Sequence, residues 1–388
     1  MIDKKTRALR FVLLAGAVSL FADFAYEGAR AIAGPFLAAL AASGTVVGIA
    51  SGVGEFLGYA LRLVSGKLAD RTKKFWPITI VGYVIQMCAV PLLALAGSWQ
   101  AAAGLLILER VGKATRNPPR DVMLSAAGKQ MGGYGWAFGL HEGLDQIGAL
   151  VGPLAMAGIL AARHDFRLAF AALAIPAAIT LLLVVVARLS YPSPEEFEPA
   201  HEEPTDSKAL PRRFWIYLVG AGFVAAGFAD YPMIAYHFEK ESIVSGSQTA
   251  VFYAIAMGVS GAASLLFGKL FDRRGLWVLV PLTAITAAYA PLAFLGRTWV
   301  SLLGVVLWGV GMGVHGSIVS AAVATMVPVS RRGSAYGVFT ASYGTFWMAG
   351  SALLGWLYDV SLSWLVVAAV LLELAAIPFI VATARAKE

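Results

Sequence analysis

The chain has 388 residues; 59% are hydrophobic, only 14% are charged, and the formal net charge is +7. A soluble domain carries about 25% charged residues, so there are too few charges here to surface the two or three domains such a length would form. A single cysteine, Cys88, excludes a disulfide scaffold, and long apolar runs exclude a disordered or nucleic-acid-binding chain despite the basic excess.

A helix needs about 20 apolar residues to cross roughly 30 Å of hydrocarbon. Such runs lie near 10–37, 45–66, 76–96, 98–117, 134–161 and 167–189, then near 214–237, 249–271, 276–296, 298–327, 335–358 and 362–384. They are continuous rather than alternating, which excludes a β-barrel. The expected architecture is therefore an all-α polytopic membrane protein with twelve transmembrane helices.

Span one follows a basic start (Lys4, Lys5, Arg7, Arg10) and is too long for a signal peptide. It carries Asp23, Glu27 and Arg30 at i, i+4 and i+7, on one helical face. Span two carries Glu55 and Arg62 and ends in Gly66-Lys67-Leu68-Ala69-Asp70-Arg71. Span three has no charge in its apolar core, whereas span four holds Glu109, Arg110 and Lys113. Span five holds His141, Glu142 and Asp145, then Gly148 and Gly152. Those glycines, four apart, let another helix approach closely, and Pro153 favours a kink. Span six is uncharged, and a proline-rich acidic segment with Pro192, Pro194, Pro199, Pro204 and Pro211 follows it. This sets expected boundaries of 1–190 for a first bundle, 191–212 for a cytoplasmic linker and 213–388 for a second bundle.

In the second half, span seven offers Asp230, span ten Trp308 and His315, and span eleven Tyr343 and Trp347. Span eight ends in Gly268-Lys269-Leu270-Phe271-Asp272-Arg273, repeating the end of span two. Phe21-Ala22-Asp23 likewise has a counterpart in Phe228-Ala229-Asp230. These repeats point to two pseudo-symmetric six-helix bundles, a transporter architecture with substrate held between the repeats.

Most basic residues share one side with the N-terminus, among them Lys67, Arg71, Lys73, Lys74, Arg212, Arg213, Arg273 and Arg332, while Arg163, Arg167, Lys240 and Arg297 fall opposite. The positive-inside rule then places both termini in the cytoplasm, in a plasma (inner) membrane. An ionisable group inside the bilayer costs at least ~2.5–3.5 kcal/mol and so marks function by default. Spans one, two, four and five face something polar on this reading, while three, six, nine and twelve face lipid. Burial and a neighbouring Arg act oppositely on a carboxylate's proton affinity, which suits proton coupling through Asp23, Glu27 and Asp145. For Glu55 with Arg62 and Glu109 with Lys113, permanent salt bridges are the competing reading. His141 and His315 are either near-neutral titrators or packing residues. The scattered histidines and lone cysteine give no metal-ligand spacing, so no metal site is expected.

The loop Gly66–Lys74 resembles the signature loop between the second and third helices of the major facilitator superfamily, with Thr72 where a glycine is usual. Gly139, Gly148 and Gly152-Pro153 resemble the antiporter motif of its proton-coupled drug-efflux branch, with Met156 and Ala157 in place of a final glycine pair. Arg110 falls in the region where that branch carries a buried arginine. The resemblance implies that spans one, four, seven and ten line a central cavity. For Asp70 and Asp272, within the repeated motifs of Gly66, Asp70 and Arg71 and of Gly268, Asp272 and Arg273, it implies an interdomain latch, with solvated loop charges as the competing reading. The function implied is secondary active transport by alternating access, as a proton-coupled antiporter exporting a small amphipathic or charged molecule. The alternative is a symporter or uniporter importing a sugar or organic acid. No P-loop, zinc-protease helix or nucleophile elbow points to an enzyme. The expected partners are a small-molecule substrate and the lipid bilayer, with no nucleic acid, no cofactor beyond the coupling proton, and a monomeric state.

Overall fold

The computed structural model describes residues 4–130, 134–192, 210–315, 319–327 and 332–386. Most of the expected linker lies outside them. Among the described residues there is no strand. The first half runs α1 (Lys4–Ala39), α2 (Gly44–Thr72), α3 (Phe75–Leu92), α4 (Trp99–Gln130), α5 (Tyr134–Arg163), then α6 (Phe166–Ala172) and α7 (Ala174–Ser190) as one interrupted span. The second half runs α8 (Arg212–Gly227), α9 (Tyr231–Lys240), α10 (Gly246–Arg274), α11 (Leu279–Thr286), α12 (Tyr289–Leu295), α13 (Thr298–Val314), α14 (Ser320–Met326), α15 (Arg332–Val360) and α16 (Leu362–Arg385). Eight described helical stretches are long and apolar enough to cross a membrane, and one of them, Gly246–Leu295, is 50 residues long. At about 1.5 Å per residue that stretch is long enough to cross twice. The chain is a multi-pass all-α membrane protein.

Contacts divide the chain into two compact units: Met1–Ile32 with Leu57–Glu202, and Ala33–Phe56 with Glu203–Glu388.

In the first unit, glycines set the helix crossings. A Cβ on Gly82 of α3 would lie 2.6 Å from the Arg116 backbone nitrogen, and one on Gly112 of α4 would lie 2.6 Å from that of Gln86. Any side chain there would force α3 and α4 apart. Gly148 and Gly152 press α5 against α1 in the same way, facing the carbonyl oxygens of Leu20 and Phe24. The end expected for span four near residue 117 is wrong. Helix α4 continues through Pro118 and Pro119 to Gln130. A proline at 118 lacks the N–H that would bond the carbonyl of Ala114. Ser65 of α2 supplies the missing donor, its Oγ lying 2.9 Å from that carbonyl.

In the second unit, the span expected as one helix over 214–237 is broken. Helix α8 ends at Gly227, and Phe228, Ala229 and Asp230 are extended before α9 begins. The freed backbone groups find side-chain partners. The Tyr289 hydroxyl donates to the Gly227 carbonyl at 2.9 Å and accepts from the Ala229 N–H at 2.6 Å. Trp308 Nε1 donates to the Ala229 carbonyl at 2.8 Å. Irregular backbone at membrane depth is tolerated where protein satisfies it in this way.

The end of α1 and the start of α2 belong to this second unit. Gly34 meets the Pro232 backbone, and Gly48 meets the Ser351 carbonyl and Gly355. Asp359, just beyond the apolar stretch of α15, closes the contact. Its Oδ1 accepts from the Gly44 N–H at 2.8 Å, and its Oδ2 accepts from the Thr45 N–H at 2.7 Å and the Thr45 hydroxyl at 2.6 Å. The first N–H groups of a helix have no partner within it, so a carboxylate at that end is doubly favoured by hydrogen bonding and by the helix dipole. Burial opposes ionisation of Asp359, but the hydrogen bonds from Thr45 and Gly44 outweigh it and hold the carboxyl below the usual range.

Candidate functional site

The first unit gathers its buried charge around α1, α3, α4 and α5. Asp23 is 7% exposed, with Arg116 Nη2 at 3.6 Å and Lys113 Nζ at 4.0 Å. Its Oδ1 accepts no hydrogen bond, so the two cations neutralise it at a distance without fixing it. Asp145 lies within electrostatic reach of Asp23, and its Oδ1 also lacks a hydrogen-bond donor. Arg116 is fixed from its other side: its Nε donates to Gln86 Oε1 at 2.6 Å, its Nη1 to the Tyr83 hydroxyl at 3.1 Å, and its guanidinium sits 4.5 Å from the Tyr83 ring centre. The amide of Gln86 then donates to Glu109 Oε1 at 2.7 Å, and Arg110 Nε approaches Glu109 Oε2 at 3.7 Å. A single line of polar contacts thus joins Glu109 to Asp23 through Gln86 and Arg116.

Tyr26 organises the opposite side. Lys113 Nζ lies 3.7 Å and Arg110 Cζ 5.0 Å from its ring centre, and Arg30 donates to its hydroxyl at 2.9 Å. A cation over an aromatic face is held without being neutralised. A second line runs along α1, α4 and α5. Arg120 donates to Ser19 Oγ at 3.1 Å, and that hydroxyl lies 2.9 Å from His141 Nε2.

The second unit is aromatic. Asp230, 2% exposed at the helix break, accepts from Trp347 Nε1 and from the Ser351 hydroxyl, each at 3.1 Å. His315 Nδ1 lies 3.0 Å from the Tyr343 hydroxyl. The His315 ring is 4.5 Å from that of Phe228 and 5.7 Å from that of Trp347. His315 and Thr286 line a small cavity of about 20 Å³ together with Tyr217, Thr283, Gly311 and Val319.

A multi-pass helical protein with ionisable groups buried in its first unit, and a broken helix carrying a buried carboxylate in its second, is organised as carriers are. The family model for the Major Facilitator Superfamily matches residues 13–344. The chain belongs to that superfamily. An uncharacterized protein of Mycobacterium tuberculosis is 40% identical over 379 residues, 95% of this chain and 92% of its own. An uncharacterized MFS-type transporter of Methanocaldococcus jannaschii is 24% identical over 360 residues, 90% of this chain and 89% of its own. Among solved structures, a peptide transporter shares the fold with a TM-score of 0.76 at 14% identity, covering 99% of both chains. A bacterial homolog of the human lysosomal transporter Spinster, captured inward-facing and unoccupied, matches with a TM-score of 0.71 at 16% identity, over 99% of this chain and 98% of its own. This chain is accordingly a secondary transporter of the superfamily type rather than an enzyme.

Within this MFS transporter the charged candidates separate by position. Asp23, Arg110, Lys113, Glu109 and Asp145 meet in one cluster, with Glu27 buried and in electrostatic reach of Glu109. Glu55 is buried in the second unit. Arg62 is exposed, 5.7 Å from the Tyr59 ring centre, on a stretch of α2 where Gly58 has open space beside it. Glu142 is also exposed, accepting from Gln146 at 3.0 Å. Asp70, Arg71, Asp272 and Arg273 are exposed at helix ends, and Gly66 and Gly268 are half-buried beside them. Arg116, Arg120, Gln86, Tyr83 and Tyr26 are central to the geometry but absent from the sequence-derived candidates. Arg116 and Arg120 follow Lys113 at helical spacing, a signal hidden by ending span four near residue 117.

Proposed function

We propose that this transporter is a proton-coupled antiporter that exports a small amphipathic or charged molecule. The observation that carries the reading is Asp23, a buried carboxylate held between Lys113 and Arg116 with no donor on Oδ1 and with Asp145 nearby. A carboxylate stabilised by cations on another helix changes its proton affinity when those cations shift against it. Gln86 and Tyr83 tie Arg116 to α3, so a shift of α3 against α1 would alter the charge felt by Asp23. In this reading the protein works as a monomer, without a cofactor, in the plasma membrane, with both termini and the basic loop after α2 in the cytoplasm. The turn at 40–43 then lies on the external face. Import by symport or uniport is the second reading, favoured by Met156 and Ala157 where antiporters of the resembled branch keep a glycine pair.

A thermal-shift screen of metabolites and drugs on purified protein identifies a ligand, since binding stabilises the state that binds. That ligand is then supplied to proteoliposomes carrying an imposed pH gradient. Antiport predicts proton movement opposite to the ligand, and its loss in Asp23→Asn and Asp145→Asn with ligand binding retained. Co-directional movement of ligand and protons establishes symport instead, and full coupled exchange in both variants removes these residues from the mechanism.

A further inference from the structure

Span twelve reads as a lipid-facing helix, yet its one acidic residue points inward. Glu373 of α16 has 0% exposure. It packs against Gly227, where an added Cβ would lie 3.0 Å from the Glu373 Cγ, directly beside the break in span seven. Its Oε1 accepts no hydrogen bond, and its Oε2 lies 3.2 Å from Thr286 Oγ1.

The Thr286 hydroxyl has one proton and three acceptors in reach: Glu373 Oε2 at 3.2 Å, the Leu282 carbonyl at 2.9 Å and the Thr283 carbonyl at 3.3 Å. The carboxyl thus has at most one shared donor, too little to hold a fully buried carboxylate ionised.

The surroundings agree. Facing Glu373, α8 presents Gly227, α11 presents Thr286, and the 3-10 turn at Gly275–Val278 has no titratable residue. From α12 comes Tyr289, whose hydroxyl is engaged by the Gly227 carbonyl and the Ala229 N–H, and beyond it Asp230 is held by Trp347 and Ser351. On α15, Tyr343 is bonded to His315, which lines the same cavity as Thr286. None of these is a lysine or arginine, and a buried carboxylate without a cation is strongly disfavoured.

We propose that Glu373 is a proton-binding site of the second unit, carrying a proton in this conformation and exchanging it with water through the small cavity that Thr286 lines. Release would place an unpaired charge against residues 227–230, so proton occupancy and the geometry of the break are linked. This site is separate from the Asp23 cluster and stands whether or not that cluster couples transport.

Infrared spectroscopy of the full chain in lipid vesicles tests it with bulk pH as the probe and no substrate. At neutral pH the carbonyl stretch of a protonated carboxylic acid should be present and should disappear on alkalinisation. Part of that band should be lost in Glu373→Gln, and the same component should shift in Thr286→Val. A Glu373→Gln spectrum that loses a carboxylate band at neutral pH, or keeps the full protonated band, overturns the proposal. If the Gln variant does not fold, Thr286→Val decides alone: an unmoved protonated band there also overturns it.

Discussion

Removing the Asp359 carboxylate should open the contact between α2 and the α15 end. Asp359→Ala deletes three hydrogen bonds to Gly44 and Thr45, two of them to orphan N–H groups of the first turn of α2. Losing a helix cap costs about 0.5–2 kcal/mol, and losing the dipole interaction a further ~0.3–1 kcal/mol. The site is partly open to water, which places the sum near 1–2 kcal/mol. Since about 1.4 kcal/mol is tenfold in an equilibrium constant, the population in which this contact is broken should rise about 5- to 30-fold. Val47, on the first turns of α2, is fully buried and reports on that population. In a Cys88→Ser background, Val47→Cys should react with a water-soluble maleimide at a rate proportional to the open fraction, and Asp359→Ala should raise the rate by that factor. Because the carboxyl is held below the ordinary range, its contribution is complete above that range and is lost as pH falls through the lowered value. Divided by the rate of a freely exposed cysteine at the same pH, which removes the falling thiolate fraction, labelling should therefore be flat from neutral to mildly acidic pH and rise only as the lowered value is approached. A rate in Asp359→Ala within twofold of the parent would refute the clasp.

Other variants probe the first unit. Gly148→Val puts a branched side chain against the Leu20 carbonyl, an overpacking worth about 1–3 kcal/mol, so its melting temperature in detergent should drop while Gly143→Ala, with open space beside it, keeps that of the parent. Ser65→Ala leaves the Ala114 carbonyl unpaired at about 1–3 kcal/mol, and hydrogen exchange should accelerate in α4 after residue 114 but not in α3. Arg116→Met strips a buried carboxylate of its nearer cation, a loss of about 3–5 kcal/mol in thermal unfolding, and adding Asp23→Asn should restore most of it.

Hydropathy was sufficient to read the helices, because a bilayer demands long apolar runs whatever the packing. Packing detail was harder to read. The pair Pro118-Pro119 looks like a stop signal, yet α4 passes through it because Ser65, remote in sequence, replaces the missing bond. The break at Phe228–Asp230 does have a local signal in Pro232 at the start of α9, and Tyr289 and Trp308 stabilise the open backbone from elsewhere in the chain. Burial also varies along one helix. Glu55 and Arg62 share a face of α2 by spacing, but one is buried and the other stacks on Tyr59 in the open. Periodicity gives an angle around the axis and says nothing of which neighbour stands at that height. Glu373 was visible as a lone acid in an apolar span, but its orientation depends on Gly227 leaving room for it.

The hydroxyl of Ser65 sits one residue before the Gly66–Lys74 segment, read as a loop from the sequence but helical as far as Thr72, and Gly66 itself faces the Pro118 ring at 3.6 Å from an added Cβ. Two residues before that ring stands Arg116. The last turns of α2 therefore touch the same stretch of α4 that carries the guanidinium beside Asp23, through one hydroxyl and one glycine.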